Sequence, residues 1–243
     1  MLKRLCTFLF VAIVLVSCGA KGETYRIGID PSFYGAALVG KEAEIYAFSK
    51  ELLCAISHEE GISFESVTTA WDNLIYGLKN DQYDAILSSI SPRINLLKTY
   101  NFSDPFLYIG PVLVMKKDMK VSSVKHLRGK EISVESMNQE VLLIEKYPGV
   151  NVHYYYSIPE AFEEIVTGQI DGILIDYPQA TSYIRNLYRE KVRIATPPLN
   201  DLGLRLVTLN GEEKELVEAF NRGLDKLRDN GTYEKLLEKW ELN

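Results

Sequence analysis

The hydrophobic positions of residues 24–110 alternate between the two-residue period of strands and the 3.6-residue period of helices. Apolar side chains from Ile45 to Ile56 recur every three or four residues, which predicts an amphipathic helix. The predicted elements are strands over 25–29, 64–68 and 84–90 and helices over 42–58 and 71–78. Strands that alternate with helices in this way are typical of an α/β domain with a parallel sheet.

The same alternation returns after residue 110. The predicted elements are strands over 111–115, 131–134, 152–156, 172–175 and 204–208 and helices over 140–146, 159–167, from 178, over 212–228 and near 233–240. Pro178 suits the first turn of this helix, which is expected to carry Tyr183, Ile184 and Leu187 on its apolar face. Two similar units are joined near 106–110 and 194–199, so we expect two α/β lobes joined by two hinge segments, with a ligand cleft between them.

The third strand of the first unit ends in polar residues. Its apolar run, Ala85 to Leu87, is followed by Ser88, Ser89, Ser91 and Arg93. Ligands of open α/β sheets bind outside the carboxyl ends of the strands. The hydroxyls and the arginine are therefore candidate ligand contacts, although serines at such a place also serve as turn residues that bond to the backbone.

The first residues have the pattern of an export signal. Lys3-Arg4 precede an apolar run from Leu5 to Val16, which is short for a membrane span. The run ends in Leu15-Val16-Ser17-Cys18, which resembles the bacterial lipoprotein signal. That resemblance implies a signal peptide over 1–17, acylation of Cys18 (palmitate among the acyl groups) and a tether over 18–23. The alternative is an ordinary secretory leader with a chance cysteine.

Net charge, histidine spacing and cysteine count limit the kinds of partner and cofactor that we expect. The chain has 243 residues and a formal net charge of −6, which argues against a nucleic-acid partner. The three histidines, His58, His126 and His153, are scattered without metal-ligand spacing, so we expect no metal and no cofactor. Cys54 is the cysteine left once the leader is removed and Cys18 is acylated, and we expect it to be an unpaired, buried thiol.

Five segments together resemble one known family. They are Trp71-Asp72-Asn73-Leu74-Ile75, Ser88-Ser89-Ile90-Ser91, Phe102-Ser103-Asp104-Pro105, the run 168–176 that ends at Asp176, and Asp229 to Lys235 with Trp240. Over residues 24–243 the chain resembles the extracytoplasmic solute-binding proteins of amino-acid ABC importers, which have the type II periplasmic-binding fold. With this fold we expect lobe 1 over 24–108 and 196–243 and lobe 2 over 109–195.

The resemblance implies how the two charged ends of an amino acid are held. Asp176 matches the carboxylate that pairs with the α-ammonium group, and Ser91 matches a group that assists it. Ser89 matches a backbone donor to the α-carboxylate. Asn138 and Gln139 lie at the turn of lobe 2 whose amide groups receive that carboxylate. A helix N-terminus offers N–H groups to an anion, and a carboxylate suits an ammonium group. Asp176 is alternatively a cap of the helix near Pro178.

The resemblance also implies contacts to the ligand side chain. Phe33 and Trp71 match two aromatic positions that sandwich it, although each is alternatively a core aromatic residue. Asp30 follows the first strand and Glu135 follows a strand of lobe 2. Either carboxylate suits a cationic side chain, and Ser88 is a further hydroxyl at the end of the third strand.

The chain departs from the family pattern at the carboxylate clamp. Counting without gaps from Asp84 to Phe102 puts Leu96 where the family has its clamping arginine, and Arg93 where threonine is usual. We favour Arg93 as the clamp, because a guanidinium forms a strong bidentate pair with a carboxylate. A second departure is Ser136-Met137-Asn138, where the family often has a small residue and glycine.

The resemblance implies a lipid-anchored receptor on the outer face of the cell membrane or in the periplasm. It would capture a free polar or basic amino acid by closure of the lobes and deliver it to an ABC permease in the inner membrane. We expect a monomer that does no chemistry on its ligand. Two alternatives stay open: a periplasmic dehydratase-like enzyme on the same fold, and a sensory or adhesive lipoprotein.

Overall fold

A computed structural model describes residues 22–32, 38, 40–136 and 141–242. The strands are β1 (Thr24–Ile29), β2 (Ser63–Thr68), β3 (Ala85–Ser88), β4 (Tyr100–Phe102), β5 (Leu107–Tyr108), β6 (Pro111–Lys116), β7 (Glu131–Glu135), β8 (Asn151–Tyr155), β9 (Gly172–Asp176), β10 (Val192–Ile194) and β11 (Gly203–Leu209). The helices are α1 (Glu42–Glu60), α2 (Trp71–Lys79), α3 (Val141–Ile144), α4 (Ile158–Thr167), α5 (Tyr177–Tyr183), α6 (Lys214–Asp229) and α7 (Thr232–Lys239). A 3-10 turn covers Val124–His126, and a π-helical segment, Ile184–Tyr188, continues α5.

The predicted order of strands and helices is confirmed, with two kinds of difference. The sequence pattern does not reveal β4, β5 and β10, because strands of two or three residues are too short to show a period. The helix predicted from Pro178 ends at Tyr183 and passes into the π-helical segment. Leu187 is 65% exposed there, so the prediction that it lies on a buried apolar face is wrong.

The first sheet collects the carboxyl ends of three parallel strands at one edge. Its strand order is β2-β1-β3-β11-β4, with β5 beside β11. Ile29, the last residue of β1, pairs with Thr68 of β2 and Leu87 of β3 in parallel register. Strand β11 returns from the other end of the chain and lies antiparallel to β3. The residues that follow β1 and β3 are therefore neighbours in space.

The second sheet repeats this arrangement with other strands. Its order is β10-β6-β9-β7-β8. Strand β7 is parallel to β8 and β9, while β6 and β10 are antiparallel to their neighbours. The carboxyl ends of β7 and β9, at Glu135 and Asp176, therefore share an edge of this sheet. No strand of the described chain belongs to both sheets.

Two crossings connect the sheets, and they are hydrogen-bonded to each other. The amides of Ile109 and Gly110 donate to the carbonyl of Leu202 at 3.0 and 3.3 Å, and Leu199 N donates to the carbonyl of Pro111 at 2.8 Å. A Cβ at Gly110 would lie 2.0 Å from Oδ1 of Asn200, so a larger residue there would displace the end of the Asn200 side chain. The observed architecture confirms the predicted fold, two α/β lobes joined by two segments.

Each sheet is covered by apolar clusters on both faces. In the first lobe one cluster joins the sheet to α1, α6 and α7, and a second joins the opposite face to α2. Two further clusters cover the faces of the second sheet. Among the described residues, each lobe therefore has its own apolar core, and the chain passes from one lobe to the other through the two crossings.

The state of Cys54 differs from expectation. Cys54 is disulfide-bonded, so the prediction of an unpaired thiol is wrong. The other two cysteines of the sequence, Cys6 and Cys18, lie outside the described residues. Removal of residues 1–17 together with acylation of Cys18 would leave Cys54 with no cysteine to pair with. In the part of the chain that the structure describes, no helix combines the length and the apolar character that a membrane span needs.

Candidate functional site

The carboxyl ends of the two sheets meet at the crossing through residues 108–111. Ser88 at the end of β3 pairs with Arg205, and Gly203, two residues before it, pairs with Tyr108. Pro111, three residues after Tyr108, pairs with Asp176 at the end of β9. Three extended residues span about 10 Å, so the polar strand ends of both lobes lie on either side of the crossing.

Asp30 is a buried carboxylate at this edge of lobe 1. It follows β1 directly and is 6% exposed. The backbone N–H and the hydroxyl of Ser32 both donate to its Oδ1 at 2.9 Å. Both of these hydrogen bonds end on Oδ1, and Oδ2 is not among the buried side-chain atoms that lack a partner. Burial of a charged group is costly unless it is paired, so this carboxylate suits a cationic partner.

The serines after β3 fall into two groups. Ser88 is fully buried, and its Oγ accepts a hydrogen bond from the amide of Ile90 at 3.2 Å, as a turn residue does. Ser89 and Ser91 are half-buried, and the carbonyl of Ser91 accepts the amide of Arg93 at 2.8 Å. Burial therefore favours Ser89 and Ser91 over Ser88 as ligand contacts, and those contacts stay predictions.

Trp71 and Leu96 lie against the same apolar cluster. Trp71 is the first residue of α2 and is half-buried. Both side chains pack against the cluster that includes Leu74 and Ile86, beside Ile90. Leu96 is thus a packing residue where the family pattern has the clamping arginine. The side chain of Trp71 packs partly against this cluster and is partly exposed. Its stacking on a ligand side chain therefore stays a prediction.

Arg93 begins a turn on the surface of lobe 1. Its carbonyl accepts the amides of Leu96 and Leu97 at 2.8 and 3.0 Å. The side chain is exposed and belongs to none of the ion pairs between described residues. Exposure lowers the strength of a guanidinium–carboxylate pair because water screens it. The role of Arg93 as the clamp stays a prediction.

Asp176 is the half-buried carboxylate of lobe 2 at the crossing. It is the last residue of β9, and the amide of the next residue, Tyr177, donates to the carbonyl of Gly110 at 3.1 Å. Its side chain makes no capping hydrogen bond to α5, so the capping alternative is not supported. Burial raises the pKa of the neighbouring Tyr177 still further above neutral pH, so this phenol adds no charge beside Asp176.

Several predicted residues lie outside the described residues. Phe33, Asn138, Gln139 and Cys18 are among them, so their predicted contacts stay predictions. Glu135 is exposed at the end of β7. Within residues 22–32, 38, 40–136 and 141–242, no group of three or more His, Cys, Asp or Glu side chains is placed to hold a metal ion.

One charged residue at this edge was missed by the sequence analysis. Arg205 is 5% exposed in β11 and pairs with Ser88. Its signal in the sequence is a single cation inside an apolar strand, Leu204 to Val207. Such a residue needs a buried partner, and the pattern alone does not reveal which one.

Comparison with known proteins gives relatives of nearly equal length. The arginine-binding periplasmic protein of Mannheimia haemolytica is 28% identical, over 99% of this chain and 98% of that protein. The arginine-binding extracellular protein ArtP of Bacillus subtilis is 27% identical, over 95% and 93%. The L-cystine-binding protein TcyJ of Escherichia coli is 22% identical, over 89% and 82%.

Solved structures with this fold are also found. The L-cystine solute receptor of Neisseria gonorrhoeae, in its unliganded open conformation, matches with a TM-score of 0.68 at 20% identity, over 90% of this chain and 92% of that chain. The second substrate-binding domain of an amino-acid ABC transporter from Streptococcus pneumoniae matches with a TM-score of 0.63 at 24% identity, over 90% and 100%. The sequence profile of one family matches residues 25–243. The chain therefore belongs to the bacterial extracellular solute-binding proteins, family 3.

Proposed function

We propose that this protein is the lipid-anchored substrate-binding component of an ABC importer and that it captures a free polar or basic amino acid. The observation that carries the proposal is the position of Asp176. This carboxylate ends β9 beside the crossing, across from the strand ends of the first lobe. A carboxylate there suits the α-ammonium group of an amino acid.

Ligand capture works by closure of the lobes in this proposal. Lobe 1 comprises residues 24–108 and 196–243, and lobe 2 comprises residues 109–195. A ligand that contacts Asp176 of one lobe and the serines after β3 of the other binds the closed form more tightly. It therefore shifts an open–closed equilibrium about the two crossings. The permease would then recognise the closed form, and the protein would do no chemistry on the ligand.

The buried carboxylate of Asp30 favours a basic ligand among the polar amino acids. Both hydrogen bonds from Ser32 end on its Oδ1. A guanidinium or ammonium group on the ligand would offset the cost of burying this charge. The names of two relatives above, both arginine-binding proteins, agree with this preference, and the name of the third specifies cystine.

A thermal-shift panel on residues 19–243 tests the ligand class. The protein is unfolded and refolded first, so that carried-over ligand is removed. We expect arginine, lysine or ornithine to raise the unfolding midpoint by several degrees, because a ligand at 100 times its Kd adds about 2.7 kcal/mol. In Asp30→Asn, which keeps the oxygen bonded to Ser32, the shift by basic amino acids is expected to fall more than the shift by glutamine.

The same panel separates the proposal from its alternatives. It also contains cystine, diaminopimelate, short peptides and prephenate. A panel without a shift by any amino acid contradicts the receptor proposal. Turnover of prephenate would favour the dehydratase-like alternative.

The lipid anchor has its own test at Cys18. In a bacterial host we expect the mature chain to begin with an acylated Cys18 and to partition into a detergent phase. Cys18→Ser should release it into the aqueous phase, because acyl chains add about 0.8 kcal/mol of membrane affinity per buried CH₂ group. Mass spectrometry of the intact protein measures the acyl groups directly. A mature chain that carries no lipid contradicts the anchor.

A further inference from the structure

Arg205 is a cation at the edge of the first sheet where the ligand is proposed to bind. It lies in β11, is 5% exposed and pairs in antiparallel register with Ser88, the last residue of β3. Its Cα is therefore next to the strand end from which Ser89 and Ser91 follow. This position places a buried guanidinium within one side-chain length of the proposed site.

Strand alternation fixes the face on which Arg205 lies. Ile86 and Val207 belong to the apolar cluster under α2, whereas Leu87 and Leu206 belong to the cluster on the other face. Side chains two residues apart in a strand lie on the same face. Arg205, two residues before Val207, is thus on the face of α2, which begins at Trp71.

The charge of Arg205 is incompletely compensated by the protein. Nη1 donates to the carbonyl of Ser103 at 2.8 Å, and Nη2 donates to the carbonyl of Asp201 at 2.7 Å. Carbonyl groups accept these hydrogen bonds but carry no net charge. The paired carboxylate, on Asp201, is 3.5 Å away and its side chain is 73% exposed. Nε is buried and has no hydrogen-bond partner among the described residues, and burial of an incompletely paired cation is costly.

Open space adjoins the guanidinium. Arg205 lines a cavity of about 390 Å³ together with Pro92 and Leu97, which flank Arg93 in the turn after Ser91. The other charged side chains that line this cavity, among the described residues, are Asp104, Lys214 and Glu218. The cavity therefore places Arg205 beside the turn that follows Ser91, and the rest of its described lining comes from β4, residues 103–104 and α6.

The two other candidates for a carboxylate clamp are weaker. Leu96 packs against the apolar cluster on the same face, and Arg93 is exposed. A guanidinium that is buried before the ligand arrives loses less hydration and fewer rotamers on binding than an exposed one. Of these positions, only 205 combines burial with a positive charge.

We propose that Arg205 supplies the positive charge that holds the α-carboxylate of the ligand, in place of an arginine at position 96. This inference rests on the proposed function, since it requires an amino-acid ligand. The remaining N–H groups of the guanidinium offer the carboxylate a planar set of donors. Arg205 is thereby a specificity residue that distinguishes an α-amino acid from its uncharged α-amide.

Calorimetric titration with acid and amide pairs tests this role. The probes are L-arginine, L-glutamine and their α-amides, on the refolded chain of residues 19–243. We expect the wild-type protein to bind an acid at least tenfold more tightly than its amide, which corresponds to about 1.4 kcal/mol. Arg205→Met should weaken binding of the acid by at least tenfold and leave binding of the amide unchanged, so that the preference disappears.

Two further variants keep the test decisive if Arg205→Met does not fold. Arg205→Lys keeps the charge without the planar fork, and it should retain part of the preference for the acid. Lys214→Met removes the other cation on the described lining of the cavity, and it should retain all of the preference. A preference that persists in Arg205→Met, or that vanishes in Lys214→Met, overturns the inference while the receptor function stands. A wild-type protein that binds no amino acid overturns the proposed function as well.

Discussion

Asp176→Ala should abolish amino-acid binding. The variant leaves the α-ammonium group of the ligand without its carboxylate in a closed site. Removing one partner of a buried, hydrogen-bonded charge pair costs about 2–5 kcal/mol, which is roughly 30-fold to several thousandfold in Kd. Calorimetric titration with the amino acid that gives the largest thermal shift measures the loss. Asp176→Asn should lose most of the affinity too, because it keeps the shape of the side chain but not its charge.

A matched control for Asp176 lies at the other end of the same strand. Asp171 precedes β9, pairs with Lys130 at 3.0 Å and accepts the amide of Glu131 at 2.9 Å. Asp171→Ala should lower the unfolding midpoint slightly and leave the Kd unchanged, because its carboxylate is far from the carboxyl end of β9. Equal loss of affinity in both variants would point to a general effect on folding and against a contact with the ligand.

Gly77→Ala should destabilise the first lobe, although alanine favours a helix. A Cβ at Gly77 would lie 2.3 Å from the hydroxyl oxygen of Tyr83. Tyr83 is almost fully buried, and its hydroxyl is 2.8 Å from the carbonyl oxygens of Asn73 and Leu74. In an exposed helix the same change would stabilise by about 1 kcal/mol. Here overpacking should instead cost about 2–3 kcal/mol, or roughly 4–12 °C in the unfolding midpoint.

The tyrosine provides the control for this prediction. The ring of Tyr83 also blocks a Cβ at Gly28, whose nearest ring atom would be 2.8 Å away. In a Tyr83→Leu background the additional cost of Gly77→Ala should shrink, because the hydroxyl and the far edge of the ring are absent. Thermal unfolding of the four proteins in this cycle measures the coupling. An additive result would show that the two residues do not meet.

The pattern of apolar and polar residues predicts the strands and helices well, because it depends on the local geometry of each element. The stripe from Ile45 to Ile56 is observed as one face of α1. The change from apolar residues to Ser88 marks the end of β3. Residues that recur with the period of a strand or helix report their own burial, so element type follows without knowledge of any distant partner.

The candidate site is only partly predictable for the same reason. The sequence pattern places Asp30 and Asp176 at strand ends, but their burial depends on which residues cover them. The pattern also suggested Arg93 as the clamp, because nearby positions in the chain were the only guide. Arg205 lies beside Ser88 because β11 pairs with β3. Pairing between strands that are far apart in the sequence is not visible in the periodicity of either strand.

The sequence by itself determined the two α/β units, their two connections and the polar ends of their strands. The tertiary structure decided that both sets of strand ends adjoin one crossing, that Leu96 packs against an apolar cluster and that Leu187 is exposed. It also decided that a buried, partly unpaired guanidinium lies at that edge. The reason is physical: periodicity follows from the geometry of one element, whereas burial and charge pairing depend on residues that only folding brings together.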